Sequence, residues 1–227
     1  MKNITLLSFV LLFSLKIMAG DDQSFFALKG SYSMPLGDYA LYDLDKGCFT
    51  TEGISFGVEG AWYFYKNLGI GADVNYSLHS VDAIGIANKK IEDAILLNQL
   101  YVRSDPYKMI TTMAGFYYAY QVMESLRIEP KILAGLMFGS SPFQLYEQEL
   151  YLLGDSYYKI TSSQAHAFAI KAGISIKYKV SPCIALSLLA DYTQSDLSFG
   201  FYSSDELFYR NRKIAYLDFG LGLVIVF

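Results

Sequence analysis

Long apolar runs are missing from this 227-residue chain, and that absence excludes a whole class at once. No stretch reaches the about 18 consecutive apolar residues that a membrane-crossing helix needs, so a polytopic helical membrane protein is ruled out. Charge is scarce too: Asp, Glu, Lys and Arg make up 18% of residues, below the roughly 25% of an average soluble domain. The two cysteines, Cys48 and Cys183, show neither CxxC spacing nor a metal-site pattern, and both read as free thiols. His79 and His166 are the only histidines, and with scattered acids they make no ligand spacing, so no metal and no cofactor is expected. Apolar residues, by contrast, are 53% of the chain and aromatics 16%, with 20 Tyr and 16 Phe beside a single Trp. That composition excludes disorder. The length suits one domain of about 200 residues or two small ones.

Residues 1–19 read as a secretory signal peptide, and 20–227 as the mature domain. Lys2 supplies a positive start, Ile4 to Leu15 an apolar core, and Ala19 and Gly20 the small residues before Asp21 and Asp22. The core is too short to span a bilayer. No cysteine follows the expected cut, so a lipoprotein is not expected. Removing Lys2 and Lys16 from the 18 bases leaves 16 against 22 acids, a net charge of −6. An acidic exported chain is a poor candidate for nucleic-acid binding.

Downstream of residue 23 the dominant period is two. Leu217, Phe219, Leu221, Leu223, Ile225 and Phe227 alternate with smaller or polar partners, and so do Ile184 to Tyr192 and Phe168 to Tyr178. Ile54 to Phe64, Ile70 to Leu78 and Leu126 to Phe138 repeat the pattern, and weaker segments at Phe26–Met34 and Ile110–Val122 bring the count to eight. Short joints at Lys66-Asn67, Gln121–Ser125 and Val180–Pro182 alternate with long ones at 35–49, 81–105, 140–164 and 194–212. Together these predict an all-β, eight-stranded antiparallel up-and-down barrel, with short turns and both termini at one end.

Orientation decides the environment. A soluble barrel would carry Lys, Glu and Thr outside. Here the less apolar face is rich in Gly, Ala and Ser with charges at intervals, which suits a narrow interior; the other face is Leu, Ile, Val, Phe and Tyr. Aromatics gather at both strand ends, as interfacial girdles do. The reading is a transmembrane barrel with short periplasmic turns and long extracellular loops.

The terminal strand ending on Phe227 resembles the C-terminal signature of bacterial outer-membrane barrels. With the signal, the eight strands, the loop alternation and the Tyr32–Tyr39 stretch, the mature chain resembles the small eight-stranded outer-membrane family typified by the OmpA transmembrane domain and OmpX. That resemblance implies residence in the bacterial outer membrane, among its lipids and lipopolysaccharide. It further implies recognition of the Phe227 strand by the barrel-assembly machinery. Unlike full-length OmpA, the chain shows no peptidoglycan-binding domain, and cell-wall tethering is not implied.

Lys29, Glu59, Asp73, Arg127, Glu129, Lys131, Lys171, Lys177, Asp191 and Asp218 fall on the inner face. Buried charges must be paired, so these residues are expected to form ion pairs that plug the lumen. A last hairpin turning about Ser181 would set Lys171 opposite Asp191, and Lys29 would lie between the strands of Glu59 and Asp218. Catalysis is not expected: there is no GxSxG elbow, and the serines nearest the histidines are Ser80, Ser162 and Ser163. In the second long loop, Asn88 could cap a helix through Ile91, Ala94, Ile95 and Leu100, lying on lipid or over the mouth. Loop aromatics such as Phe143, Tyr146, Tyr157, Phe199, Phe201 and Tyr209 either contact partners, glycans or lipid A sugars, or extend the strands, the latter preferred. The functional expectation is a monomeric barrel with a structural or surface-interaction role through its outer loops. The alternatives are a narrow barrel for ions or a small hydrophobic molecule, and a lipid A-modifying enzyme.

Overall fold

The computed structural model describes residues 24–94, 97–151, 154–203 and 206–227; the expected signal peptide lies outside them. In chain order the elements are β1 (Phe25–Pro35), β2 (Thr50–Tyr65), β3 (Leu68–Val81), α1 (Ala83–Asp93), β4 (Leu97–Ser104), β5 (Tyr107–Tyr118), β6 (Tyr120–Met123), β7 (Leu126–Ser140), β8 (Gln144–Leu150), β9 (Gly154–Ile160), β10 (Gln164–Ser181), β11 (Ile184–Ser203) and β12 (Glu206–Val226). Eight of them close a ring of antiparallel pairs in the order β1, β2, β3, β5, β7, β10, β11, β12, with β12 returning to β1. The short β6 continues β5 beyond Ala119 and pairs with β7. Closure leaves the ring without an edge, so every spanning strand has two hydrogen-bonded neighbours.

Turn chemistry separates the two ends. Lys66, at φ 42°, takes the left-handed backbone that a tight β2–β3 hairpin needs. Pro182 sits where β10 hands over to β11, and Ser181 faces Ile184 across that turn. The Phe227 amide donates to the Ser24 carbonyl at 2.9 Å, so the C-terminus lies at this same end, beside the start of β1.

Alternation sends oily side chains outward. Ile132 is 71% exposed, Leu221 66% and Phe168 65%, whereas Glu59, Asp73, Glu129, Lys131, Lys171, Asp191 and Asp218 are buried. A wall of this kind is stable against hydrocarbon and would aggregate in water. No described helix is long and apolar enough to cross a membrane; the crossing is made by strands. Trp62, Phe64, Tyr118, Tyr120 and Tyr178 form a girdle near the turns, and Tyr32, Tyr76 and Phe138 one toward the loops. The interior is less uniformly small than the composition of the inner face suggests: Met109, Met113, Leu133 and Met137 of β5 and β7 point inward and pack with Tyr117.

β11 and β12 run 20 and 21 residues. At about 3.3 Å per residue and a tilt of about 45°, they overshoot a hydrocarbon core of about 30 Å. This hairpin therefore rises beyond the wall, as strand extension predicts. The third long loop does otherwise: β8 and β9 form their own hairpin and join β4 of the second loop in a separate three-stranded sheet.

The expected helix is corrected. It begins at Ala83, not after Asn88, because the Asp82 carboxylate accepts from the Gly85 amide at 2.9 Å and caps the first turn. It ends at Asp93, and Leu100 belongs to strand β4; Ile95 lies outside the described residues. Ile86 and Ala87 bury against Phe49, Val102 and Tyr146, which seats α1 on the outer sheet.

Candidate functional site

The charged side chains meet at mid-barrel. Two acidic pairs lie directly opposite one another on neighbouring strands, Glu59 with Asp73 and Asp191 with Asp218. Like charges so placed repel, and lysines on β1, β7 and β10 answer them. Lys131 on β7 reaches Glu59 at 2.5 Å and Asp191 at 2.9 Å. Lys171 on β10 reaches Asp73 at 2.5 Å. Lys29 on β1 contacts Asp73, with Glu59 at 3.1 Å and Asp191 at 3.3 Å. Three carboxylates thus meet three ammonium groups in one buried, charge-neutral cluster.

Toward the turns a second group forms. Glu129 takes Arg127 at 2.5 Å on one oxygen and Lys177 at 2.5 Å on the other. Asp218 stands apart from the lysines and accepts from the Ser55 hydroxyl at 3.1 Å. Two expected pairings are therefore corrected. Lys171 faces Thr193, and Asp191 faces Gly173, because the last turn is centred beyond Ser181 and an irregularity at Lys179–Ser181 shifts the register. Lys29 meets Glu59, and finds Asp73 and Asp191 in place of Asp218. Gly173 makes room for this: a Cβ there would lie 2.1 Å from the Asp191 carboxylate and 2.9 Å from Lys131.

Oxygens of Glu59, Asp73 and Asp191 lie within 4.8 Å of one another, close enough to hold a cation. The ammonium groups already engage them, so a metal ion would have to displace the lysines.

Nearer the loops, the Ser33 hydroxyl lies 2.8 Å from His79 Nε2. This pairing escaped sequence reasoning, which looked to Ser80; strand alternation turns Ser80 outward while His79 is buried. His79 is enclosed by Tyr39 and Tyr216, at ring distances of 5.3 and 5.0 Å, and its Nδ1 has no partner among the described residues. A nucleophile–base pair needs an orienting group and an open approach; among the described residues no group orients this imidazole, and both side chains are buried. His166 faces outward beside Phe138.

At the mouth lies a cavity of about 300 Å³, lined by Asp45, Cys48, Lys90, Tyr107, Tyr146 and Arg212 among others. Burial pushes the Cys48 thiol up, against the pull of the Arg212 guanidinium. Tyr146 is pushed up for the same reason, burial.

No family model matches the sequence, and no curated protein does. Among solved structures, the Neisserial surface protein A is similar at 11% identity, covering 92% of this chain and 100% of its own, with a TM-score of 0.49. Ail, the attachment invasion locus protein of Yersinia pestis, is similar at 13% identity, covering 89% and 99%, with a TM-score of 0.43. A major outer membrane protein from Thermus thermophilus is similar at 10% identity, covering 90% and 98%, with a TM-score of 0.48.

Proposed function

We propose that this chain is an integral barrel of the bacterial outer membrane that works at the cell surface through its outer loops, its lumen closed by ion pairs. The observation that carries the reading is the charge balance of the interior. Below the mouth, and among the described residues, five buried carboxylates, Glu59, Asp73, Glu129, Asp191 and Asp218, accompany five buried cations, Lys29, Arg127, Lys131, Lys171 and Lys177. The contacts bridge strands that are not neighbours in the ring, as from β7 to β2 and from β10 to β3. Side chains that tie opposite walls together obstruct the path of an ion, and an eight-stranded interior has little width to spare. The second half of the reading is supported by the outer body, where α1, β4, β8 and β9 pack around Phe49, Val102 and Tyr146.

Single-channel recording in planar bilayers tests the closed lumen. The expected trace is silent, and a long-lived ohmic open state would overturn the plug in favour of a narrow conduit. The terminal Phe227 is proposed as the assembly signal. Phe227→Ala should lower the folded, heat-modifiable fraction in the outer membrane without changing total synthesis; an unchanged folded fraction refutes that role.

A further inference from the structure

The mouth cavity has a chemistry unlike the rest of the chain. The protein carries a net charge of −4, yet among the described residues this cavity of about 300 Å³ is lined by Lys90, Arg210 and Arg212 against a single carboxylate residue, Asp45. Arg212 is only 9% exposed, and its Nη1 donates to the Asp45 main-chain carbonyl at 2.7 Å. Among the described residues, no carboxylate forms an ion pair within 4.0 Å with any of the three cations. Among those residues, this guanidinium, withdrawn from water with a carbonyl as its partner, meets no counter-charge. The contrast with the neutral lumen cluster below is sharp.

The other lining groups are aromatic. Phe199 lies directly across from Arg210 on the paired strand, and Tyr107 is a further lining ring. Tyr146 stacks on Tyr158 with centroids 4.6 Å apart, and the Lys90 ammonium sits 4.2 Å from the Tyr146 centroid while donating to the Tyr158 hydroxyl at 2.6 Å. Cations beside flat apolar walls match a ligand with both features, and the volume is at the small end for ligand pockets.

We propose that this cavity binds a small soluble organic anion: a flat apolar body carrying one carboxylate or phosphate monoester. Arg212 and Arg210 receive the anionic group, the aromatic rings hold the body, and Lys90 closes the α1 side. The inward-facing residues of β11 and β12 line the cavity, so those strands separate it from lipid and select a soluble ligand over a headgroup. The inference rests on the reading that the protein acts at its outer end, and is independent of whether the lumen conducts.

The test uses the full mature chain refolded in lipid nanodiscs, titrated calorimetrically with phenyl phosphate, inorganic phosphate and benzyl alcohol. Phenyl phosphate should bind at least tenfold more tightly than either fragment. Arg212→Gln should weaken it about tenfold, the loss of one charge-assisted contact, and leave benzyl alcohol unchanged. Lys90→Gln, on a half-buried helix position outside the barrel wall, should weaken it a few-fold and keeps the test valid if the arginine variant fails to assemble. Lys66→Gln, at the opposite end, should change nothing. Absence of saturable phenyl phosphate binding, or equal binding by wild type and both cavity variants, overturns the proposal. Conductance recorded on the same preparation separates the two readings: a conducting protein that still binds phenyl phosphate loses only its plug, and a silent one that does not bind loses only its ligand.

Discussion

Replacing Lys131 with methionine removes one cation from the neutral mid-barrel cluster while keeping most of the side-chain volume. Lys131 is fully buried and engages Glu59 at 2.5 Å and Asp191 at 2.9 Å. After Lys131→Met, three carboxylates share Lys29 and Lys171, and one negative charge stands uncompensated among buried side chains. Breaking a buried pair in this one-sided way costs about 3–5 kcal/mol. With a urea dependence of about 2 kcal/mol per molar, the unfolding midpoint should fall by roughly 2 M. The second arm restores balance. Lys131→Met with Glu59→Gln leaves Lys29 and Lys171 facing Asp73 and Asp191, whose mutual contacts are intact. The double variant should therefore be less damaged than the sum of the singles, by a coupling on the order of 1–3 kcal/mol. The assay is urea unfolding in lipid vesicles, read from the gel mobility of folded and unfolded barrels. A midpoint for Lys131→Met equal to wild type, or strictly additive losses in the double variant, refutes the claim that charge balance holds the interior.

Gly173→Ala places a methyl 2.1 Å from the Asp191 carboxylate, and overpacking of this kind should cost about 1–3 kcal/mol in the same unfolding assay. Cys183 is exposed at the turn end and Cys48 is buried at the mouth with its thiol pushed up, so an impermeant maleimide at about pH 7.5 should spare intact cells and label Cys183 alone after lysis; mass spectrometry of the peptides reads the result, and labelling of Cys183 from outside would invert the barrel. Asp82→Ala removes the cap of α1 and should weaken that helix by about 1 kcal/mol, visible as faster amide exchange across 83–93 with the β1–β12 seam unchanged.

The ring was legible because its signal is local. Every second residue from Leu217 to Ile225 is oily, and the wall that this pattern forecasts is the one the structure has. The partners of the lumen charges were not legible, for a geometric reason. Alternation says that Lys131 and Glu59 both point inward, but β7 and β2 are separated by two strands of the ring, and only closure carries one side chain to the other. Lys171 shows a second limit. Its opposite residue depends on where the β10–β11 pairing is centred: the ladder turns about Pro182 and not Ser181, and that one-residue difference in centre moves the partner of Lys171 by two positions, from Asp191 to Thr193. The like-charged pair Glu59–Asp73 could have been found from the hairpin at Lys66-Asn67, since both residues stand seven positions from that joint's midpoint near 66. The mouth cavity had no such signal: Arg212, Lys90 and Tyr146 are brought together by three separate long loops.

The pairing of β4 with β8 makes the second and third long loops a single folded unit. Evolution, or an engineer, cannot exchange one of them freely. Replacing residues 81–106 alone would strip β8 of half its ladder and uncover Tyr146, so variation at this surface should arise as matched sets, and grafts should travel in tandem. The hairpin of β11 and β12 pairs its backbone only with itself beyond the ring, yet Phe199, Arg210 and Arg212 tie it to the same mouth, so those positions should vary with the set and the remainder of the hairpin on its own.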